Sequence, residues 1–505
     1  MTNQPEPSRV ARRALLRGAA VGAAAAAAAP LLRLPTARAA GLDSGDYTIR
    51  YDDGARQTIK GLGFEIQSDS IGSGNNGMPD LVSGVPYDLV PSERTRFYQQ
   101  MLKIRSDRGF RYCRLALGLY HRGVTADGRR LVDRYEGQTA LLAEMISQAG
   151  IEGVAAEYWS PAPAWKVNNN LVGTSPDGKA KYGLASFAPA DLDALGEAMV
   201  ADLDHLAARG VPISMWGLQN EPDSPASYSS CFYEPAQYLA AFKAVAPKIR
   251  AKYPNVMIQA DSRGGWSGDR GRAIVADAQA LRYVDAWTYH RVGTYADEQI
   301  TGDYTSGALG RPVFNNEFEY LHPTSSFNRT INTAHSIMNW MTFQNSPTWF
   351  WLHALKPTTN SESKGYSLGF WRPPSDTDFS HYPNIQPGHW DFNPENFNAV
   401  AGFVQYMPWD SVRHHVEEPV HEDGSAYSDH RIMAWKTPQG KQIFAITNRS
   451  SSRSWTYNID TRTAAAFEGH RFGPTTRNDR LAARTGPTLS ITVPPLSIEF
   501  WVRTP

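Results

Sequence analysis

The chain has 505 residues, 50 basic against 50 acidic side chains, and 20% charged residues. Such a length buries a large core and favours one big barrel plus an accessory domain over a single compact unit. The charge balance and the lack of an arginine-rich stripe exclude a nucleic-acid binder, and two cysteines, Cys113 and Cys231, make neither a disulfide scaffold nor a metal site by spacing.

The N-terminus differs from the rest. Arg12-Arg13-Ala14-Leu15-Leu16-Arg17, an alanine-rich apolar run to Leu32 and Ala37-Arg38-Ala39 read as a bacterial twin-arginine export signal over residues 1–39. The apolar run is about fifteen residues long, short of the ~20 that span a bilayer. Cleavage takes six arginines and one glutamate with it and leaves a mildly acidic mature chain of net charge −5. The expectation is a secreted monomer with no membrane contact after cleavage.

Residues 40–58 alternate in strand fashion around the turn Asp52-Asp53-Gly54 and are expected to join an accessory β-domain. From residue 59 to 406 apolar strand-like runs alternate with helical periods. The strands fall at 59–66, 110–118, 153–159, 212–218, 256–261, 284–290, 311–317 and 348–353. The helices fall at 92–102 with Ser92 as cap, then 139–149, 189–208, 235–252, 270–281, 330–343 and 397–406. Strict β-then-α order argues for a parallel sheet, and eight repeats close as a (β/α)8 TIM barrel of the α/β class. Long segments at 70–91, 166–188 and 356–392 read as loops walling a cleft. Residues 407–505 change texture to short alternating runs split by turns, the pattern of a C-terminal antiparallel β-sandwich.

Chemistry in such a barrel sits where strands hand over to loops. The fourth strand ends in Gln219-Asn220-Glu221-Pro222, where the proline cannot donate to a ladder, and the seventh ends in Asn315-Asn316-Glu317. Two carboxylates on opposite sides of the ring suit retaining glycoside hydrolysis, which needs them ~5–5.5 Å apart. Glu319 shares strand parity with Glu317, but Glu317 directly follows the apolar run and has the Asn neighbour. Asn220 is placed to hydrogen-bond a sugar hydroxyl, Arg114 on the second strand needs a carboxylate partner if it points inward, and His290 ends the sixth strand. Trp159, Trp165, Trp349 and Trp351 at or past strand ends offer flat faces for sugar rings. Arg122, Arg263 and Arg291 follow strands and suit either the surface or a uronate carboxylate.

Trp159-Ser160-Pro161-Ala162-Pro163-Ala164-Trp165-Lys166 together with Gln219-Asn220-Glu221-Pro222-Asp223 resembles the signatures of glycoside hydrolase family 30, a clan A family of retaining barrel glycosidases. Val493-Pro494-Pro495-Leu496-Ser497-Ile498 is similar to the last strand of that family's side β-domain. The resemblance covers residues 45–503 and implies that Glu221 is the acid/base and Glu317 the nucleophile. The chain departs from it in the extra residue of the proline stretch, in Gly61-Leu62-Gly63-Phe64, and in His290-Arg291-Val292 where a His-x-Tyr is common. Tyr289 or Tyr295 is then a candidate for the missing tyrosine. The expectation is a secreted retaining β-glycosidase without cofactor or metal, acting on a polysaccharide or oligosaccharide of the β-1,6-galactan, β-glucan or xylan type. The rivals are a noncatalytic carbohydrate-binding barrel and, further off, a metal-dependent hydrolase, for which no His-x-His or His-Glu-x-x-His spacing occurs.

Overall fold

A computed structural model describes residues 43–66, 89–105, 108–290, 308–320, 327–359, 363–374, 376–419 and 429–505. The export signal, most of the 70–91 segment, Arg291 and Tyr295 lie outside the described residues. At the centre stand eight parallel strands: β1 (Gly63–Ile66), β2 (Tyr112–Leu117), β3 (Gly153–Tyr158), β4 (Ile213–Gly217), β5 (Met257–Ala260), β6 (Ala286–His290), β7 (Val313–Glu317) and β8 (Phe350–Trp351). They pair in the order β7-β6-β5-β4-β3-β2-β1-β8. The ring closes between β7 and β8, where Phe318 N donates to Phe350 O at 3.1 Å and Leu352 N to Phe318 O at 3.0 Å. This is a (β/α)8 TIM barrel.

The strands read as nearly unbroken apolar runs because both faces are covered. One parity points inward, and at the N-terminal end of the barrel Tyr112, Ala155, Met215, Ala286, Phe314 and Phe350 fill the interior as an apolar layer. The other parity, with Cys113, Val154, Trp216, Ile258, Trp287 and Trp349, packs outward on the helices.

Proline opens the helices Pro91–Arg96, Pro189–Ala207, Pro235–Lys252 and Pro394–Tyr406, where its fixed φ suits the first turn and its missing N–H costs nothing. Ser92 therefore lies inside the first turn, not at the cap, and the helix continues as a π-helical turn, Phe97–Lys103, that buries Phe97, Tyr98, Met101 and Leu102. The predicted helix at 270–281 is two pieces, Asp269–Val275 and Ala278–Leu281. It breaks because Asp277 caps the second piece, accepting from Gln279 N and Ala280 N, both at 2.9 Å.

Two boundaries differ from the sequence reading. The first predicted strand divides: Ala55–Ile59 pairs with Ser411–His414 in the side domain, and the barrel strand begins at Gly63. The predicted loop at 356–392 holds a small sheet, His353–Pro357, Ser367–Trp371 and Trp390–Phe392. Arg372 pins that segment by donating to the Ile385 and Tyr382 carbonyls and pairing with Asp376 at 2.6 Å.

The side domain is a sandwich of a four-stranded and a seven-stranded sheet. Most pairs are antiparallel, but Ser44–Ile49 runs parallel to Trp455–Asp460. Alternation explains how it docks. In Ile432–Lys436 and Gln442–Asn448, Ile432, Ala434, Phe444 and Ile446 face the other sheet, while Met433, Trp435, Ile443 and Ala445 join the barrel's core. Phe403 of the last barrel helix meets Phe500 edge to face at 5.0 Å, and Trp435 Nε1 donates to Tyr406 O at 2.9 Å.

Candidate active site

The barrel interior turns polar toward the C-terminal ends of the strands. Arg114 on β2, fully buried, is the hub. Its guanidinium pairs with Glu65 on β1, with Glu157 on β3 at 2.7 Å and with Glu317 at the end of β7 at 2.6 Å. It also donates to Asn220 Oδ1 at 2.6 Å and lies 4.5 Å over the Trp159 ring. Burial alone disfavours the charged guanidinium of Arg114, but the charges of Glu157, Glu65 and Glu317 outweigh it and hold the group protonated. Asn316 Nδ2 donates to Glu157 Oε2 at 3.2 Å, so the residue before Glu317 is tied into the same cluster.

Glu317 is fixed from its own strand as well, since its N–H donates to Asn315 Oδ1 at 3.2 Å. A register shift after Tyr289 brings His290 directly opposite it. Glu319 is buried, and the carboxylates paired with Arg114 are Glu65, Glu157 and Glu317.

Glu221 stands across the mouth. Its backbone is left-handed at φ 43°, an uncommon conformation for a residue with a Cβ, and Pro222 follows. The strain aims its carboxylate at β6: Oε1 is 3.0 Å from His290 Nδ1, and the same nitrogen is 3.6 Å from Glu317 Oε2. One oxygen of Glu221 and one of Glu317 lie within 4.8 Å of each other. Both side chains keep a path to solvent, with 26% and 12% of their surface exposed, whereas Glu65 and Glu157 have essentially none. Burial pushes the Glu221 carboxyl up, but the hydrogen bond and charge of His290, with Arg263 and Arg114 behind it, pull it well below the usual carboxylate range. Arg263 reaches Asp223 at 3.0 Å beside this carboxylate.

Of the sequence-predicted residues, Glu221, Glu317, Asn220, Arg114, His290 and Trp159 come together. Tyr289, Trp349 and Trp351 do not. Strand parity sends them outward: Tyr289 packs near Trp340 with ring centroids 6.0 Å apart, Trp349 Nε1 donates to Ser336 Oγ at 3.1 Å, and Trp351 Nε1 to Tyr366 O at 2.9 Å. Trp165 lies on a short 3-10 turn, its Nε1 bound to Arg129 O at 2.7 Å. Arg122 is buried.

Glu65 and Glu157 are the residues that sequence reasoning missed. The signal was present: each is a carboxylate at an inward position within an otherwise apolar strand, and in the parallel register Glu65 lies opposite Arg114. Such a charge requires a buried cation nearby.

No protein-family model matches the sequence, and no curated protein matches it. Solved structures do. The fold is that of family 30 glycoside hydrolases. The catalytic domain of a GH30 xylanase C from Talaromyces cellulolyticus superposes with a TM-score of 0.66 at 16% identity, over 91% of this chain and 100% of that one. A conserved exported protein from Bacteroides fragilis matches with a TM-score of 0.70 at 12% identity, over 90% and 99%. An endo-β1,6-glucanase matches with a TM-score of 0.63 at 14% identity, over 90% and 92%.

Proposed function

We propose that this chain is a secreted retaining β-glycosidase that hydrolyses O-glycosidic bonds of a polysaccharide or derived oligosaccharide, with Glu317 as nucleophile and Glu221 as acid/base. The observation that carries the reading is the pair of carboxylates at the ends of β4 and β7, with oxygens within 4.8 Å of each other and one imidazole between them. Inverting enzymes leave ~6.5–9.5 Å for a water between the two carboxyls, and retaining ones ~5–5.5 Å, so the spacing supports double displacement.

In the first step Glu317 Oε attacks the anomeric carbon while Glu221, protonated by way of its hydrogen bond with His290, passes that proton to the departing glycosidic oxygen, leaving a glycosyl ester on Glu317. In the second, Glu221 takes a proton from water, the water oxygen bonds to the anomeric carbon, and the Glu317 carboxylate departs. Arg114 orients Glu317 throughout. Asn220, whose Oδ1 is held by Arg114, keeps its amide N–H groups available for the sugar hydroxyl next to the reacting carbon. Trp159, held under the guanidinium, supplies an apolar wall. Export follows from the twin-arginine signature at residues 12–17.

The test is a product screen on the mature chain, residues 40–505, against β-1,6-galactan, glucuronoxylan, β-1,6-glucan and aryl β-glycosides, with Glu317→Gln as control. Release of sugar by the wild type alone, with the β anomer appearing first by proton NMR, is the expected result. First appearance of the α anomer overturns double displacement. Sugar binding by both proteins with no product from either overturns the enzyme reading in favour of a carbohydrate-binding barrel.

A further inference from the structure

A second group of ligating side chains lies outside the candidate active site. His121 follows β2, Asp133 precedes the helix Gln138–Ala149, and His205 lies in the last turn of Pro189–Ala207. Three separate elements thus bring one ligand atom from each of His121, Asp133 and His205 within 4.8 Å of one another. We propose that His121, Asp133 and His205 form a zinc site that braces the segment after β2 against these two helices.

Donor chemistry and geometry support this independently. Two imidazoles and one carboxylate are the nitrogen and oxygen ligands that zinc takes, with bonds of ~2.0–2.2 Å. Ligand atoms on a tetrahedron with such bonds stand about 3.3–3.5 Å apart. Asp133 Oδ1 is 3.1 Å from His121 Nε2 and 2.9 Å from His205 Nε2, close to that edge length. Thr139 Oγ1 is 3.2 Å from His121 Nε2 and also bonds Asp133 Oδ1, so a hydroxyl lies beside the group.

Without a cation the arrangement is crowded. Among the described residues three side-chain groups converge on Asp133 Oδ1, while Oδ2 receives only the Thr139 N–H, at 3.2 Å. One carboxylate oxygen offers about two lone-pair directions. A metal among the three groups relieves this by replacing the two Nε2 protons. His121 is free to do so: its ring is buried and its Nδ1 has no hydrogen-bond partner, so the proton moves there without breaking a bond. At His205 the Arg209 Nη1 lies 3.1 Å from both Nδ1 and the His205 carbonyl, and metal binding leaves it on the carbonyl. Asp133 is 12 residues from His121 and 72 from His205, so no motif spacing announces the site.

The test uses the full mature chain, purified without chelator, dialysed with and without EDTA, and then titrated with zinc chloride or cobalt chloride. The expected results are stoichiometric zinc, a visible tetrahedral Co(II) band, and an unfolding midpoint that falls on chelation and rises by about 3 °C or more when zinc returns. His205→Gln and Asp133→Asn should each weaken zinc at least about tenfold and erase the midpoint response, since each removes a ligand. If His205→Gln does not fold, Asp133→Asn and the wild-type cobalt spectrum still decide. Glu317→Gln should keep the metal, because Glu221, His290 and Glu317 are the other described group that can gather around an ion. Sub-stoichiometric zinc with a midpoint indifferent to it overturns the proposal, and so does a metal lost in Glu317→Gln but retained in His205→Gln.

Discussion

His290 Nδ1 lies 3.0 Å from Glu221 Oε1, and the same nitrogen is 3.6 Å from Glu317 Oε2, so one imidazole faces both carboxylates. The imidazole N–H donates to Glu221 and, with its charge, overcomes the upward push of burial on that carboxyl. In the proposed mechanism Glu221 must be protonated to act, so the alkaline limb of kcat/KM reports it in the free enzyme. In His290→Leu the bond and the charge are gone, burial is left to act, and the Glu221 carboxyl rises. The alkaline limb should move to higher pH while kcat falls. A limb that stays in place or moves down would refute the coupling of His290 to the acid.

Proton donation matters only when the departing oxygen is a poor leaving group. Glu221→Gln should therefore lower glycosylation of a polysaccharide or alkyl glycoside by about 10²–10⁴, the usual size of general acid catalysis. Against an aryl glycoside with an acidic phenol the first step needs little help and the loss should be far smaller, with a burst of phenol as the second step becomes limiting. Glu317→Gln should be inactive on both. Equal losses on the two substrates for Glu221→Gln would take the acid role away from it.

Legibility followed the physics of each level. The eight strands and the two candidate carboxylates were readable because short unbroken apolar runs, helix periods and a strand-ending Asn-Glu are local patterns. The fates of Trp349, Trp351 and Tyr289 were not, because a residue at a strand end faces either the bore or the helices, and the parity is set by register with neighbouring strands. Glu65 and Glu157 were hidden for the complementary reason. Each looks like an isolated charge in its own segment, and only the barrel's closure gathers them on Arg114. The break at Asp277 and the small sheet at His353–Pro357 depend on a cap and on pairings between distant segments, which periodicity does not see.

Trp351 is fully buried against Phe318, Tyr320 and Trp349, with ring centroids 5.7–6.3 Å away. Trp351→Phe removes volume and the Tyr366 hydrogen bond, so the unfolding midpoint should fall by the equivalent of about 1–3 kcal/mol with KM unchanged. Trp159→Phe, under Arg114, should instead change kcat/KM. A raised KM in Trp351→Phe alone would return that indole to the cleft.

Arg114 pairs with Glu65, Glu157 and Glu317 at once, and two of those carboxylates have no solvent path. Removing it strands charge in a dry interior, which costs about 3–5 kcal/mol when a buried pair is broken. Arg114→Met should destabilise the fold by that order as well as abolish turnover. Its pH dependence has a definite sign. Buried carboxylates without a cation favour protonation, so the native state of the variant binds more protons than the unfolded chain and its stability rises as pH falls toward 5. The wild type, whose guanidinium stays protonated, should lack that slope. Glu65→Gln placed on Arg114→Met removes one stranded charge and should recover part of the loss, measured as the urea midpoint at pH 5 and pH 8. A double variant no more stable than Arg114→Met at pH 8, with no slope in either, would mean that the cluster is not the electrostatic unit its distances describe.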